Sequence, residues 1–148
     1  MSSPALIPFE IALPQATLDD LATRLARTRF APDLANDDWE YGFNGGYLRA
    51  LTDYWARDFD WRATERAMNA WSHYRLDWHG QPIHLIHQRG KGPAPMPLLL
   101  HHGWPWTFWD LKRVMGPLTD PAAHGGDPRD AFDVVLLSLP GYGFSSPL

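Results

Sequence analysis

Two short apolar runs, "MPLLLHH" (96–102) and "FDVVLLSL" (132–139), constrain this chain more than anything else in it. Continuous apolar runs of this length are the mark of strands buried on both faces. Between them, "TFWDLKRVMGPL" (107–118) has a helical pattern, with Phe108, Leu111 and Met115 on one face and Thr107 and Asp110 at capping-box spacing. Strand, helix, strand at this spacing is a βαβ unit, which makes the two strands parallel and the crossover right-handed. Just upstream, "YRLDWHGQPIHLIHQRG" alternates Tyr74, Leu76 and Trp78, then Ile83, Leu85 and His87, which reads as two strands joined at a His79–Gly80 turn. "GKGPAP" and "DPAAHGGDPRD" are loops. The second half is therefore a hairpin leading into βαβ, a mixed α/β sheet.

The first half has a helical period. Residues 1–16 look extended, with Phe9, Ile11 and Leu13 alternating between Pro8 and Pro14. "TLDDLATRLARTRF" (17–30) follows as a helix, with Thr17 and Asp20 at capping-box spacing and Leu18, Leu21, Ala22 and Leu25 on one face. "APDLANDD" (31–38) is a loop, and "GGYLRALTDYWARDF" (45–59) a second helix with Tyr47, Leu48, Leu51, Tyr54 and Trp55 facing in. Asp60 caps a third, in which Trp61, Thr64, Met68 and Trp71 keep helical spacing. Most of the eight tryptophans are expected in core packing. The division expected is a helical region over 1–73 and a sheet region over 74–148.

Composition removes several function classes. A net charge of −4 without a basic cluster leaves no footprint for nucleic acid. The absence of cysteine removes disulfides and thiolate metal sites. "MSSPALIPFEIALP" has neither a basic n-region nor a long apolar stretch, so no signal peptide or membrane segment is expected and a cytoplasmic location is.

Ligands of open α/β sheets sit beyond the carboxyl ends of the strands, and two unusual turns, "HHGWPW" and "PGYGFS", fall at such ends. Gly103 allows close backbone approach, and Pro105 removes a donor and fixes the turn, a cis bond being one way to do so. What remains is the Trp104 backbone N–H, the construction of half an oxyanion hole. His101 and His102 do not make a metal pair, because adjacent strand residues point to opposite faces and no carboxylate is near; no metal is expected. His84 and His87 read as sheet residues with satisfied hydrogen bonds. Tyr142 fits a pocket wall or a structural turn equally. Asp133 begins a strand and is no nucleophile.

"HGWP" after a buried strand, with "DAFDVVLLSLPGYGFS" some thirty residues on, resembles the epoxide hydrolases of the α/β-hydrolase fold. "YW…DFDWR", "GQPIHLIH" and "PLTDP…GGDPRDAFDVV" narrow the resemblance to the N-terminal region of the microsomal-type branch, over nearly the whole chain. The resemblance implies an α/β protein in which an N-terminal helical meander precedes the first strands of a hydrolase sheet, the sheet being incomplete. It implies addition of water to an epoxide through an alkyl-enzyme ester, giving a vicinal diol with no cofactor; the partners are a small apolar epoxide and water. Carried over residue by residue, the Trp104 N–H contributes to the oxyanion hole and its ring borders the pocket. His102 and Gly103 shape the turn, and Pro105 follows a bond usually cis. Trp106 stands where relatives carry a glycine, and with Tyr142 it is a further candidate for the pocket wall. The family's aspartate nucleophile, paired tyrosines and His–acid pair have no counterpart in these residues, so the chain alone is expected to be inactive. The family's strand order also puts the "VVLLSL" strand between the hairpin and "LLLHH", leaving the latter as an edge through which the chain could self-associate. Two alternatives stay open: a haloalkane dehalogenase or other hydrolase of the same fold, and a non-catalytic binding module.

Overall fold

A computed structural model of the chain describes residues 5–33 and 35–147. It divides into two compact units, Ala12–Glu65 and Met1–Ile11 with Arg66–Leu148.

The second of these holds the sheet. Its strands are β1 (Ile7–Pro8), β2 (His73–Trp78), β3 (Gln81–Gln88), β4 (Met96–His101) and β5 (Phe132–Leu137), in the spatial order β1-β2-β3-β5-β4. The hairpin between β2 and β3 turns where its sequence demands, with His79 and Gly80 both at positive φ (54° and 81°). Two successive positive φ values suit a two-residue turn whose twist matches the strands, and the Gly80 N–H is held by Asp77 Oδ1 at 2.9 Å. β5 then runs antiparallel to β3 (Ile86 opposite Leu136) and parallel to β4 (Leu136 opposite Leu100). The last strand in sequence thus lies inside the sheet and β4 at its edge, as the family's order implies.

The connection from β4 to β5 differs in detail from the single helix expected over 107–118. It is a 3-10 turn, Phe108–Leu111, running into a helix, Lys112–Thr119. The capping box does form: Thr107 Oγ1 accepts the Trp109 N–H at 3.3 Å and Asp110 accepts the Thr107 N–H at 2.9 Å. Phe108 and Met115 point inward and, with Ile11, Ile86, Val134 and Leu136, make the core on one face of the sheet.

β4 corrects the expectation of a strand buried on both faces. Met96 and Leu99 are 60% and 63% exposed, and Pro97 and His101, which share the face of Leu99, are exposed too, so that face of β4 is left uncovered among the described residues. A continuous apolar run marks a strand that expects cover, and here it lacks part of that cover.

The other unit holds α1 (Gln15–Ala26) and α2 (Gly45–Arg57), and the boundary between the units falls within α3 (Trp61–Met68). The helix over 17–30 starts two residues early, behind Pro14, so Thr17 lies inside it and caps nothing. Asp20 instead bonds Arg24 one turn on, at 2.7 Å. Asp60 does cap α3, accepting the Ala63 N–H at 2.9 Å, but α3 stops at Met68 and Trp71 falls in a turn beyond it. Of residues 1–16, only Ile7–Pro8 pair as a strand, and residues 1–4 lie outside the described residues. The expected inward face of α2 is a larger correction: Tyr47, Leu48, Leu51, Tyr54 and Trp55 are all exposed, and neither α1 nor α2 has a buried residue. The α2 stripe is real yet stays exposed, whereas Leu18, Leu21 and Leu25 on α1 are half-buried.

Candidate functional site

The carboxyl ends of β4 and β5 lie side by side, because the strands are parallel and pair through to His101 and Leu137. At that end the chain alternates as a strand must: His101 is exposed and His102 is 4% exposed. The two rings therefore do not face one ligand, and among the described residues no group of three metal-ligating side chains gathers anywhere.

His102 is the hinge pin of the site. The Leu139 N–H donates to His102 Nε2 at 3.1 Å, so that nitrogen carries no proton. The proton is on Nδ1, which faces the Gly103 carbonyl at 3.3 Å. The Tyr142 ring meets the imidazole edge-on at 5.2 Å. One buried side chain thereby ties the "HHGWPW" turn to the "PGYGFS" turn, from its backbone on one side and its ring on the other. Tyr142 has a structural part here, the bond between its N–H and the Leu139 carbonyl closing the second turn at 2.9 Å.

Beyond His102 the chain reverses, with the Trp106 N–H on the Gly103 carbonyl at 2.8 Å and a cis peptide between Trp104 and Pro105. The Trp104 N–H meets no acceptor among the described residues. Trp104 is 80% exposed and Trp106 61%. A Cβ built on Gly103 would meet nothing within 4 Å among the described residues.

A second cluster, which the sequence did not announce, lies under the β5 turn. Ser138 Oγ bonds His84 Nδ1 at 2.8 Å, His84 Nε2 bonds His73 Nδ1 at 2.9 Å, and His73 Nε2 bonds the Met68 carbonyl at 2.7 Å. A carbonyl only accepts, so the direction of the whole row is set from that end. His73 donates to Met68, His84 donates to His73, and the Ser138 hydroxyl donates to His84. Both imidazoles are neutral. Burial, then the neighbouring His73 and Arg75, pushes His84 down to about 3, and burial lowers His73 as well. The expectation of a satisfied sheet histidine holds for His84. His73 and Ser138 were not legible beside it, because only strand register brings the three together. Asp133 is likewise structural: its carboxylate accepts the Gly90 N–H at 2.7 Å and pairs with Arg89, and both hold it below the usual carboxylate range.

Known proteins bear on this geometry directly. Residues 6–111 match the family described as "Epoxide hydrolase N terminus". A Stigmatella aurantiaca protein that carries an epoxide hydrolase name is 43% identical over 140 residues, 95% of this chain and 32% of that protein. Epoxide hydrolase 1 of Oryctolagus cuniculus is 38% identical, over 93% of this chain and 31% of its own length. Among solved structures, juvenile hormone epoxide hydrolase from the silkworm Bombyx mori superposes with a TM-score of 0.84 at 31% identity, over 96% of this chain and 34% of that one. The chain thus spans about a third of the length of the relatives it matches. It belongs to the epoxide hydrolase family, whose N-terminal portion it matches, and its incomplete mixed sheet is that of the α/β-hydrolase fold.

Proposed function

We propose that these residues supply the N-terminal part of an enzyme that adds water to an epoxide to give a vicinal diol. In that reaction a carboxylate attacks an epoxide carbon, the carbon–oxygen bond breaks, and the ring oxygen takes a proton. Water then attacks the carbonyl of the resulting alkyl-enzyme ester, releasing the diol and restoring the carboxylate. Negative charge builds on the ester oxygen in the second step, and the Trp104 N–H is assigned to receive it. The observation that carries this reading is an N–H that meets no acceptor among the described residues, on an exposed turn at the carboxyl end of β4, with a buried histidine bracing the turn.

His102, Gly103 and Pro105 are assigned the shaping of that turn, and Trp104, Trp106 and Tyr142 the apolar wall that meets a small apolar epoxide. Residues 1–73 are assigned to the helical region and 74–148 to the first part of the hydrolase core. The nucleophile, the proton donors and the His–acid pair are assigned to the part of such an enzyme that these residues do not span. The chain alone would then also self-associate, through the unpaired edge of β4.

The test is a chimera in which residues 1–148 replace the matching segment of the silkworm juvenile hormone epoxide hydrolase. Diol formation by the chimera, with no turnover by residues 1–148 alone, supports the reading. A folded chimera without turnover, or turnover by the chain alone, contradicts it.

A further inference from the structure

Strands β3 and β5 pair as far as Leu85 and Leu137. One residue further, the Ser138 N–H donates to the His84 carbonyl at 3.0 Å. A regular antiparallel ladder would return the bond, His84 N–H to Ser138 carbonyl, because hydrogen-bonded pairs exchange both. That rung is replaced. The His84 N–H donates instead to Ser145 Oγ at 2.8 Å, and the Ser145 hydroxyl donates to the Ser138 carbonyl at 2.7 Å. A side chain seven residues downstream has been inserted into the last rung of the ladder, two hydrogen bonds in series where a direct rung has one.

The insertion is built in from all sides. Ser145 is fully buried, its N–H bonds the Tyr142 carbonyl at 2.9 Å, and its carbonyl accepts the Gly141 N–H at 3.0 Å. Immediately past the insertion β5 leaves the sheet, and the Leu139 N–H that would have continued along the strand goes to His102 Nε2.

We propose that Ser145 is a positioning residue for the Trp104 turn: a hydroxyl wedge that holds β3 and β5 apart at their last rung, so that Leu139 reaches His102. Without the hydroxyl, the His84 N–H and the Ser138 carbonyl can satisfy each other directly, so removal need not leave a buried polar group unpaired. Closing that rung draws Ser138 toward β3 and Leu139 with it, away from His102. His102 is continuous with Gly103 and Trp104, so the N–H assigned to the oxyanion loses its brace. The catalytic meaning rests on the function proposed above, whereas the wedge itself is testable without turnover.

The experiment reads through-hydrogen-bond couplings in isotope-labelled residues 1–148. The wild-type chain should show Leu139 N to His102 Nε2 and His84 Nε2 to His73 Nδ1, with none between the His84 N–H and the Ser138 carbonyl. Ser145→Ala should lose the first, keep the second as a sign of an intact sheet, and gain the third. Ser145→Thr, which keeps the hydroxyl, should retain the wild-type pattern. A direct His84–Ser138 rung in the wild type, or an undisturbed Leu139–His102 coupling in Ser145→Ala, overturns the proposal. Should Ser145→Ala lose the histidine pair too, Ser145→Cys carries the test, because a thiol is a weaker partner for both backbone groups. Its Leu139–His102 coupling should shrink, and an unchanged one overturns the proposal. In the chimera, Ser145→Ala should lower kcat at least tenfold with KM held. If the couplings move as stated while the unsubstituted chimera is inactive, the hydrolase reading fails and the wedge stands.

Discussion

His84 has no exposed surface, and each of its ring nitrogens meets a polar side chain of another strand or of the turn beyond β5. A histidine placed there is neutral when folded and titrates normally when unfolded. Arg75, whose guanidinium lies over the Phe9 ring at 4.2 Å, adds a positive charge that further disfavours the imidazolium. Because the folded value is depressed from 6.5 to about 3, the unfolded chain binds the extra proton first as pH falls. Stability from this group is therefore complete above pH 6.5 and is lost progressively toward pH 3, by up to about 1.4 kcal/mol per pH unit. Urea midpoints measured from pH 7 to pH 4 should show that slope, and His84→Asn should flatten it while costing about 1–3 kcal/mol at neutral pH through the broken row. His102 acts at the same scale by a different route. His102→Phe keeps a ring against Tyr142 but takes away the acceptor of the Leu139 N–H, and should cost about 1–3 kcal/mol in the same measurement.

Among the elements, two Thr–x–x–Asp signatures look alike in the sequence and differ in the fold. Thr107 closes a capping box ahead of the β4–β5 connection, so Thr107→Ala should lower stability by about 0.5–2 kcal/mol. Thr17 lies exposed inside α1, and Thr17→Ala should change stability by no more than about 0.5 kcal/mol. Denaturation midpoints of the two variants compare the sites directly. The hairpin and the βαβ unit were legible because their signals are local: alternation over six to eight residues, a His–Gly pair suited to positive φ, an apolar run on either side of a helix. Burial was not legible in the same way. The apolar stripes of α2 and β4 record which faces need cover, and whether cover exists depends on residues elsewhere. The His102 turn could be located from its strand-end position. Its brace could not, since Leu139 and Ser145 join it only through pairings between distant parts of the chain.

Taken whole, the chain presents an unusual amount of apolar surface. Leu99 and Met96 on the edge strand are joined by Trp55, Tyr54 and Leu51 on α2 in being at least 42% exposed. An edge strand of this kind is a template for pairing with another chain. Residues 1–148 in isolation should elute as concentration-dependent oligomers, and Leu99→Lys, a charge on the open edge, should shift them toward monomer; light scattering after gel filtration reads both. A monodisperse monomer at all concentrations would remove self-association from the account. The Trp104 turn is exposed as well, and the functional reading is concentrated there. Its most direct test is the chimera with the Trp104 amide replaced by an ester, which removes the N–H and leaves every side chain in place. The account predicts a fall in kcat of about 10²–10³ with the alkyl-enzyme accumulating, because only hydrolysis of the ester needs that donor. An unchanged kcat, with no accumulated intermediate, would contradict it.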